Sequence, residues 1–407
     1  MIARGFLSDY FEGVAVKRLS KVETSPSSSN QHEFNGSKAL RDLFGDEDRK
    51  NIPTRFIWLG GEQAGVTAES VISWYDARRK HPTRTEYRLY YPANDVTVLM
   101  EEGETFFLAL RRDDTAMVIF TPAGSTVQNQ LLWLFSQEEE PELEFSAHEI
   151  GGNQDAELDF TVRYVLDELG IELEELESDK LDSLIERFGM KFPTTREFSA
   201  LARSSLPEIT VRENSDDALV AWLEREEAMF RRLERHIVSE RLQNGFYEEG
   251  DADVDGFLAF SLSVQNRRKS RAGQSLENHL EAIFRGNGVT YSRGALTENR
   301  NKPDFLFPGS ERYHDTDFPA ERLTMLGAKL TLKDRWRQVL AEAERIDRKH
   351  LLTLEPAISE YQTEQMKGVN LQLVLPKRLH QSYRESQRKW LMTISDFIDL
   401  VHKRQKN

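Results

Sequence analysis

Three residues far apart in the chain suggest its chemistry: Asp304, Lys329 and Glu342. Asp304 lies in KPDFLFP, where Pro303 fixes its own φ and biases Lys302 towards extended backbone, so a strand starts with the carboxylate at its mouth. Phe305, Leu306 and Phe307 continue without a polar residue, as in a strand covered on both faces. Lys329 sits in LTMLGAKLTL among apolar and small residues, and an ammonium there needs a carboxylate or a metal-bound phosphate to offset its desolvation. The following KDRWRQVLAEAERI predicts a helix that buries Trp336, Leu340 and Ala343, with Glu342 beside the buried stripe and able to face the sheet. Two carboxylates and a lysine at one end of a sheet are the parts needed for phosphodiester hydrolysis. The acids would hold magnesium, and the lysine would orient or stabilise the attacking hydroxide. The same residues also read as a turn opening a strand and an edge lysine whose stem snorkels over apolar surface.

Several elements have to hold these residues in place. Up to about residue 150, short β-branched or aromatic runs (FEGVAVKRLS, TRFIWLG, YRLYYPA, TFFLALRR and MVIFTPA) are separated by turn residues and read as strands. SPSSSNQ, from Ser25 to Gln31, is a polar loop. From Phe160 the period becomes helical, with Val162, Val165, Leu166 and Leu169 on one face, and DKLDSLIERFG is a second helical stretch closed by Gly189. The acidic IELEELESDK, from Ile171 to Lys180, is expected to lie at a hinge. Beyond it, DDALVAWLEREEAMFRRLERHIVSERLQNGF predicts one long amphipathic helix or two. SLENHLEAIFRGNG predicts another, with Leu276, Leu280, Ile283 and Phe284 inward and a stop at Gly286 or Gly288. KPDFLFP, LTMLGAKLTL, HLLTLE and NLQLVLP alternate with helical segments, which implies a layered α/β domain with an at least partly parallel sheet.

Composition narrows the classes. At 407 residues the chain is long enough for two or three domains, and 39% apolar residues suffice for real cores. No apolar run approaches a membrane span, and MIARGFLSDYFEG lacks the core of a signal peptide. Without cysteine, disulfides, zinc knuckles and thiol catalysis are excluded. A cytoplasmic location is the simplest expectation, with no membrane partner and no small-molecule substrate. The net charge of -15 is an average, and a nucleic-acid footprint is local. Acid is concentrated in Glu138 to Glu144 and Glu172 to Glu177, whereas Arg78 to Arg84 and Asn266 to Arg271 are basic.

NRRKSRAGQSLENHLEAIF, TENRNKPDFLFP, RYHDTDFPAERLTMLGAKLTLKDRWRQVLAEAERI and KHLLTLEPAISEYQTEQMKGVNLQLVLPKRLHQSY together resemble the catalytic half of EcoRII-type restriction endonucleases. The resemblance implies a PD-(D/E)xK nuclease domain, in which Asp304 is a metal ligand and Lys329 the catalytic lysine. Gly327 stands where the common motif has its second acid. In this family and its CCGG-cutting relatives that acid moves to the following helix, and Glu342 matches its place as the other metal ligand. A further acid on the preceding helix completes such sites; Glu277 and Glu281 both fit, and Glu277 is preferred. By the same resemblance Lys333, Asp334 and Arg335 read G·C pairs from the major groove. Arg can fork onto guanine O6 and N7, and Asp can accept from cytosine N4. Asp334 also reads as a helix N-cap, and Arg337 as a phosphate contact or a surface residue.

DYFEGVAVKRLSKVE and WYDARRKHPTRTEYRLYYP resemble, more distantly, the effector domain of the same family, a pseudobarrel DNA-binding fold. That match places specific DNA contacts at Thr83, Arg84, Glu86 and Arg88, with His32 in NQHEF as another. Pro82 and Tyr87 stand where the family has basic residues, and the lesser alternative is that Arg78 to Arg88 is a solvated β-hairpin. The expected organisation is a mainly β pseudobarrel effector domain over 1–172, an acidic hinge over 173–183, and an α/β endonuclease domain, a mixed sheet flanked by helices, over 184–407. The resemblance further implies a homodimer that cuts double-stranded DNA with magnesium at CCWGG or a closely related CC/GG-type site. It implies too that the N-terminal domain inhibits cutting until effector DNA binds. The competing expectation is a non-catalytic DNA-binding regulator on the same scaffold, which the loss of a site residue would favour; Asp304, Lys329 and Glu342 are all present.

Overall fold

The strands of this chain belong to two units that divide after residue 172, each with its own principal sheet. The computed structural model describes residues 5–24, 32–137, 139–152, 155–171, 181–183, 186–248 and 251–406. The loop Ser25 to Gln31 and most of the acidic hinge lie outside the described residues, as do the side chains of Lys333 and Asp334. No helix among the described residues is long and apolar enough to cross a membrane.

In the N-terminal unit the β-branched and aromatic runs form β1 (Phe11–Arg18), β2 (Glu33–Asn35), β3 (Arg49–Trp58), β4 (Thr67–Asp76), β5 (Tyr87–Tyr90), β6 (Thr105–Arg111), β7 (Ala116–Thr121) and β8 (Ser146–Glu149). They make one sheet in the order β2-β5-β4-β3-β7-β6-β1-β8, antiparallel throughout except for the β3–β7 pair. Five strand spacings separate β2 from β6, about 24 Å in a flat sheet. Yet the ring of Phe34 in β2 lies 4.8 Å from Phe106 in β6 and 5.8 Å from Phe145 just before β8. The sheet is therefore strongly curled, around an aromatic core that includes Phe56, Trp74 and Phe120. α1 (Lys38–Phe44) is capped by Ser37, and α2 (Thr126–Leu134) by Ser125. α3 (Phe160–Glu168) starts at the Asp159 cap and buries Val162, Val165 and Leu166, the face its sequence predicts.

The C-terminal unit starts with long helices. α4 (Thr195–Ser204) opens on a capping box of Thr194 and Glu197, α5 (Ser215–Gln243) on Asn214, and α6 (Val254–Gly286) on Asp253. The helix expected at SLENHLEAIF is only the last part of α6, and its four apolar residues are fully buried. The second sheet runs in sequence order through β9 (Ser292–Arg293), β10 (Phe305–Phe307), β11 (Thr324–Lys329), β12 (Lys349–Thr353) and β13 (Leu371–Val374). β9–β10–β11 pair antiparallel and β11–β12–β13 parallel, so the sheet is mixed. α7 (Glu360–Gly368) connects β12 to β13, and α8 (Ile394–Lys406) closes the described chain. Phe305 and Phe307 pack against Phe284 of α6 at 5.1 and 5.2 Å, Phe307 also meets Phe397 of α8 at 5.5 Å, and Leu306 is fully buried between them in sequence. Both faces of β10 are covered, as its unbroken apolar run predicts.

One expected element differs. Lys333–Ala341 is a 3-10 helix, and the α-helical stripe of Trp336, Leu340 and Ala343 does not form. Trp336 and Ala343 are buried as expected, Ala343 just past the helix end, but with about three residues per turn Val339 is buried in place of Leu340, which is half-buried.

Candidate active site

Antiparallel pairing sets Phe305 opposite Leu326, so Asp304, one residue before β10, falls beside the end of β11. Its Oδ2 accepts from the Ala328 N–H at 2.7 Å and from Lys329 Nζ at 3.0 Å. β11 is an interior strand, so Lys329 is not an edge lysine, and the ion pair offsets the partial burial of its ammonium. Gly327 shares the face of Lys329 by strand alternation. A Cβ at Gly327 would meet the Val339 methyls at 3.1 and 3.3 Å and Leu351 Cδ1 at 3.4 Å. An acid on the strand at this position would be driven into apolar packing, which is why β11 itself carries none there.

Glu342 follows the 3-10 helix in extended backbone, at φ -86° and ψ 143°. The three-residue period puts it in line with Trp336 and Val339, on a turn and not on a helix face. Its Oε2 is buried and has no hydrogen-bond partner among the described residues. Burial and then the Asp304 carboxylate push its pKa up to about 7, against the opposing pull of Lys329 and Lys349. Lys349, itself buried, donates to Ala343 O at 3.1 Å and Ile346 O at 2.9 Å and so fixes the turn. Among the described residues no cluster of three or more His, Cys, Asp and Glu is placed to hold a metal. A magnesium site needs fewer: one or two carboxylates serve, with water and phosphate supplying the remaining oxygens. An orphaned, protonation-prone carboxylate beside a second carboxylate fits that requirement.

α6 carries Glu277 to the same place. Burial, then Asp304, raise its pKa, while Arg293 opposes with Nε and Nη2 at 3.1 and 2.9 Å from its Oε2. Glu281, its competitor, accepts from Tyr291 Oη at 3.2 Å and from Arg293 Nη1 at 3.1 Å, and lies 3.6 Å from Arg196. The charges of Asp304 and Lys329 both act on the Glu277 carboxyl. Neither Arg293 nor Lys349 stands out in the sequence; an arginine next to a turn glycine, Gly294, gives no signal of the carboxylates it will meet.

Arg335 is exposed, with Nη2 3.3 Å from Thr331 Oγ1. The side chains of Lys333 and Asp334 lie outside the described residues, but Leu332 occupies the N-cap position, so Asp334 is not the cap. The Leu332 N–H donates to the buried Glu355 carboxylate, and Thr353 Oγ1 donates to Leu330 O at 3.0 Å, which fixes where this segment leaves the sheet. Arg337 stacks over Trp336 at 4.4 Å and donates to Gln365 at 2.9 Å.

In the N-terminal unit His32 and the residues around β5 share one edge of the sheet, where β2 pairs with β5. His32 O accepts from the Tyr91 N–H at 3.0 Å, and its ring lies 5.7 Å from that of Tyr91. Glu86 is paired with both Arg78 and Arg88, and Arg88 also donates to Asn35. Thr83 and Arg84 are exposed, with their N–H groups directed at His81 Nδ1 at 3.3 and 3.2 Å.

Residues 230–398 match the EcoRII C-terminal family. Over 335 residues the chain is 34% identical to the type II restriction enzyme EcoRII of Escherichia coli, covering 81% of this chain and 78% of that one. A stretch of 111 residues is 34% identical to the type II restriction enzyme SsoII of Shigella sonnei, covering 25% of this chain and 35% of that one. Among solved structures, metal-depleted Ecl18kI in complex with uncleaved, modified DNA aligns with a TM-score of 0.45 and 20% identity, over 57% of this chain and 85% of that one.

Proposed function

This chain belongs to the EcoRII family of type II restriction enzymes, and we propose that it cuts both strands of DNA at CCWGG or a closely related CC/GG-type site with magnesium as cofactor. The observation that carries the reading is the meeting of Lys329 and Asp304 at 3.0 Å beside a Glu342 whose charge Asp304 disfavours. Asp304 and Glu342 would hold the cation, which when bound supplies charge neutralisation at the scissile phosphate and a more acidic water. Lys329, anchored by Asp304 at the end of an interior strand, orients the attacking oxygen. Glu277 completes the acid set from α6.

Lys333, Asp334 and Arg335 read the G·C pairs, and the exposure of Arg335 suits a side chain that must reach guanine. A palindromic site cut on both strands calls for two catalytic units related by a two-fold axis, hence a homodimer. The N-terminal unit acts as the pseudobarrel reader of a second DNA copy through His32, Thr83, Arg84, Glu86 and Arg88, and restrains cleavage until that copy binds. The test is incubation with magnesium and a plasmid carrying several CCWGG sites. Double-strand breaks mapping to those sites, abolished by Asp304→Ala, are expected. Binding without cleavage under every divalent metal tried would instead identify a DNA-binding regulator on a nuclease scaffold.

A further inference from the structure

An acid on a strand or helix inherits its position from that element; Glu342 sits on a turn and needs another support. The loop from Thr297 to Asn301 supplies it. Asn301 Nδ2 donates to Ala341 O at 2.7 Å, and Thr297 Oγ1 accepts from the Ala343 N–H at 3.4 Å while donating to Asn301 O at 3.2 Å. The residues immediately before and after Glu342 are thus tied to one loop. Further along, Glu298 Oε2 accepts from the Glu344 N–H at 3.2 Å, and Asn299 Nδ2 donates to Glu344 Oε1 at 2.8 Å. The same loop runs directly into Pro303 and Asp304, so both carboxylates of the site depend on it.

Backbone conformation is an independent sign that the two segments are fitted to each other. Asn299 and Arg300 in the loop have φ of 56° and 62°, and Ala343 in the turn has φ of 49°. Left-handed backbone is uncommon for residues other than glycine and persists where surrounding contacts over-determine it, often at working sites. Gly327 gives the reason such a device is needed, since the strand position that would have held the acid is filled by Val339 and Leu351.

We propose that the 297–301 loop is the positioning element of the cleavage site, with Thr297 and Asn301 setting the Glu342 carboxylate against Asp304 through the backbone on either side of it. The inference rests on the reading of Asp304 and Glu342 as the cation-holding pair. Thr297 and Asn301 touch no reacting atom and act through Glu342.

The experiment uses the full chain and manganese as a paramagnetic substitute for magnesium, with bound and free ion distinguished by electron paramagnetic resonance. Thr297→Val and Asn301→Ala are each expected to weaken manganese binding about tenfold, the lower end of the range for residues that orient metal ligands. The cleavage rate in magnesium should fall with it. Duplex binding in EDTA and the unfolding midpoint should stay at wild-type values, and Thr297→Ser, which keeps the hydroxyl, should recover most of the manganese affinity. Wild-type manganese binding by Thr297→Val and Asn301→Ala, with Asp304→Ala abolishing it, would overturn the inference and leave the site reading standing. A loss that follows a fall in the unfolding midpoint and is not recovered by Thr297→Ser would mark a merely structural loop, and also overturns it. If Asp304→Ala and Glu342→Gln themselves bind manganese normally, the reading of the site fails and the inference falls with it.

Discussion

Glu86 in the N-terminal unit and Glu342 in the C-terminal unit are both partly exposed carboxylates near basic side chains, yet their surroundings drive them in opposite directions. Arg88 and Arg78 pair with Glu86 and hold its carboxyl below the usual range. Glu342 has a buried oxygen without a partner among the described residues, and its burial and then the like charge of Asp304 push it up to about 7. The first arrangement is electrostatically complete, and such exposed pairs contribute little stability. The second is incomplete in the protein alone, and an added positive charge is what completes it. If this edge reads DNA as proposed, its paired arginines would have to exchange those pairs for phosphate or base contacts, whereas Glu342 would gain a partner that the protein does not already give it.

The comparison breaks most visibly at Asp304. Asp304→Ala removes both a proposed cation ligand and the partner of Lys329, and plasmid linearisation should slow by about a thousandfold or more. Glu342→Gln should lower the rate by about a hundredfold. It should also raise the stability of the metal-free protein above neutral pH. Folded Glu342 holds its proton more tightly than the unfolded chain does, so its contribution is full below the ordinary carboxylate range and lost as pH rises through about 7. Wild-type unfolding midpoints measured without metal should therefore decline over that interval, and the Gln variant should show a shallower decline. At limiting magnesium, cleavage should rise through the same interval, with a midpoint that moves to lower pH as magnesium increases. Gly327→Asp in the Glu342→Gln background should not restore cutting and should cost about 3 kcal/mol in urea unfolding, because the new carboxylate meets Val339 and Leu351. The smallest effect is expected at the other pole. Glu86→Gln should leave the unfolding midpoint essentially unchanged and alter DNA binding only; a large loss of stability there would show that the edge is a structural network.

Much of the site was legible because local sequence constrains it. Pro303 and the following apolar run announce a strand that starts at Asp304, and a lysine among small and apolar residues announces a compensating charge. The buried face of α3 and the inward residues of α6 follow from helical period alone. Helical spacing misleads for the segment after Lys329, since Lys333–Ala341 is a 3-10 helix whose attachments, such as the Leu332 N–H on Glu355, leave no mark in composition. For the same reason Val339 and Leu340 exchanged roles. The crowding at Gly327 was out of reach, since it depends on Val339 and Leu351, which approach only when the sheet is assembled.

The contacts around Glu342 also differ in the length of chain they close. Asp304 and Lys329 are joined across 25 residues by an antiparallel strand pair, whereas the Thr297–Ala343 bond closes a separation of 46 residues and the turn leans on β12 beyond it. Longer closures cost more chain entropy, though only by a fraction of a kcal/mol here. A chain emerging from synthesis can pair its first acid with its lysine while the second acid is still unplaced. A molecule in which that closure is open holds Lys329 against Asp304 without the second carboxylate of the proposed cation pair beside them.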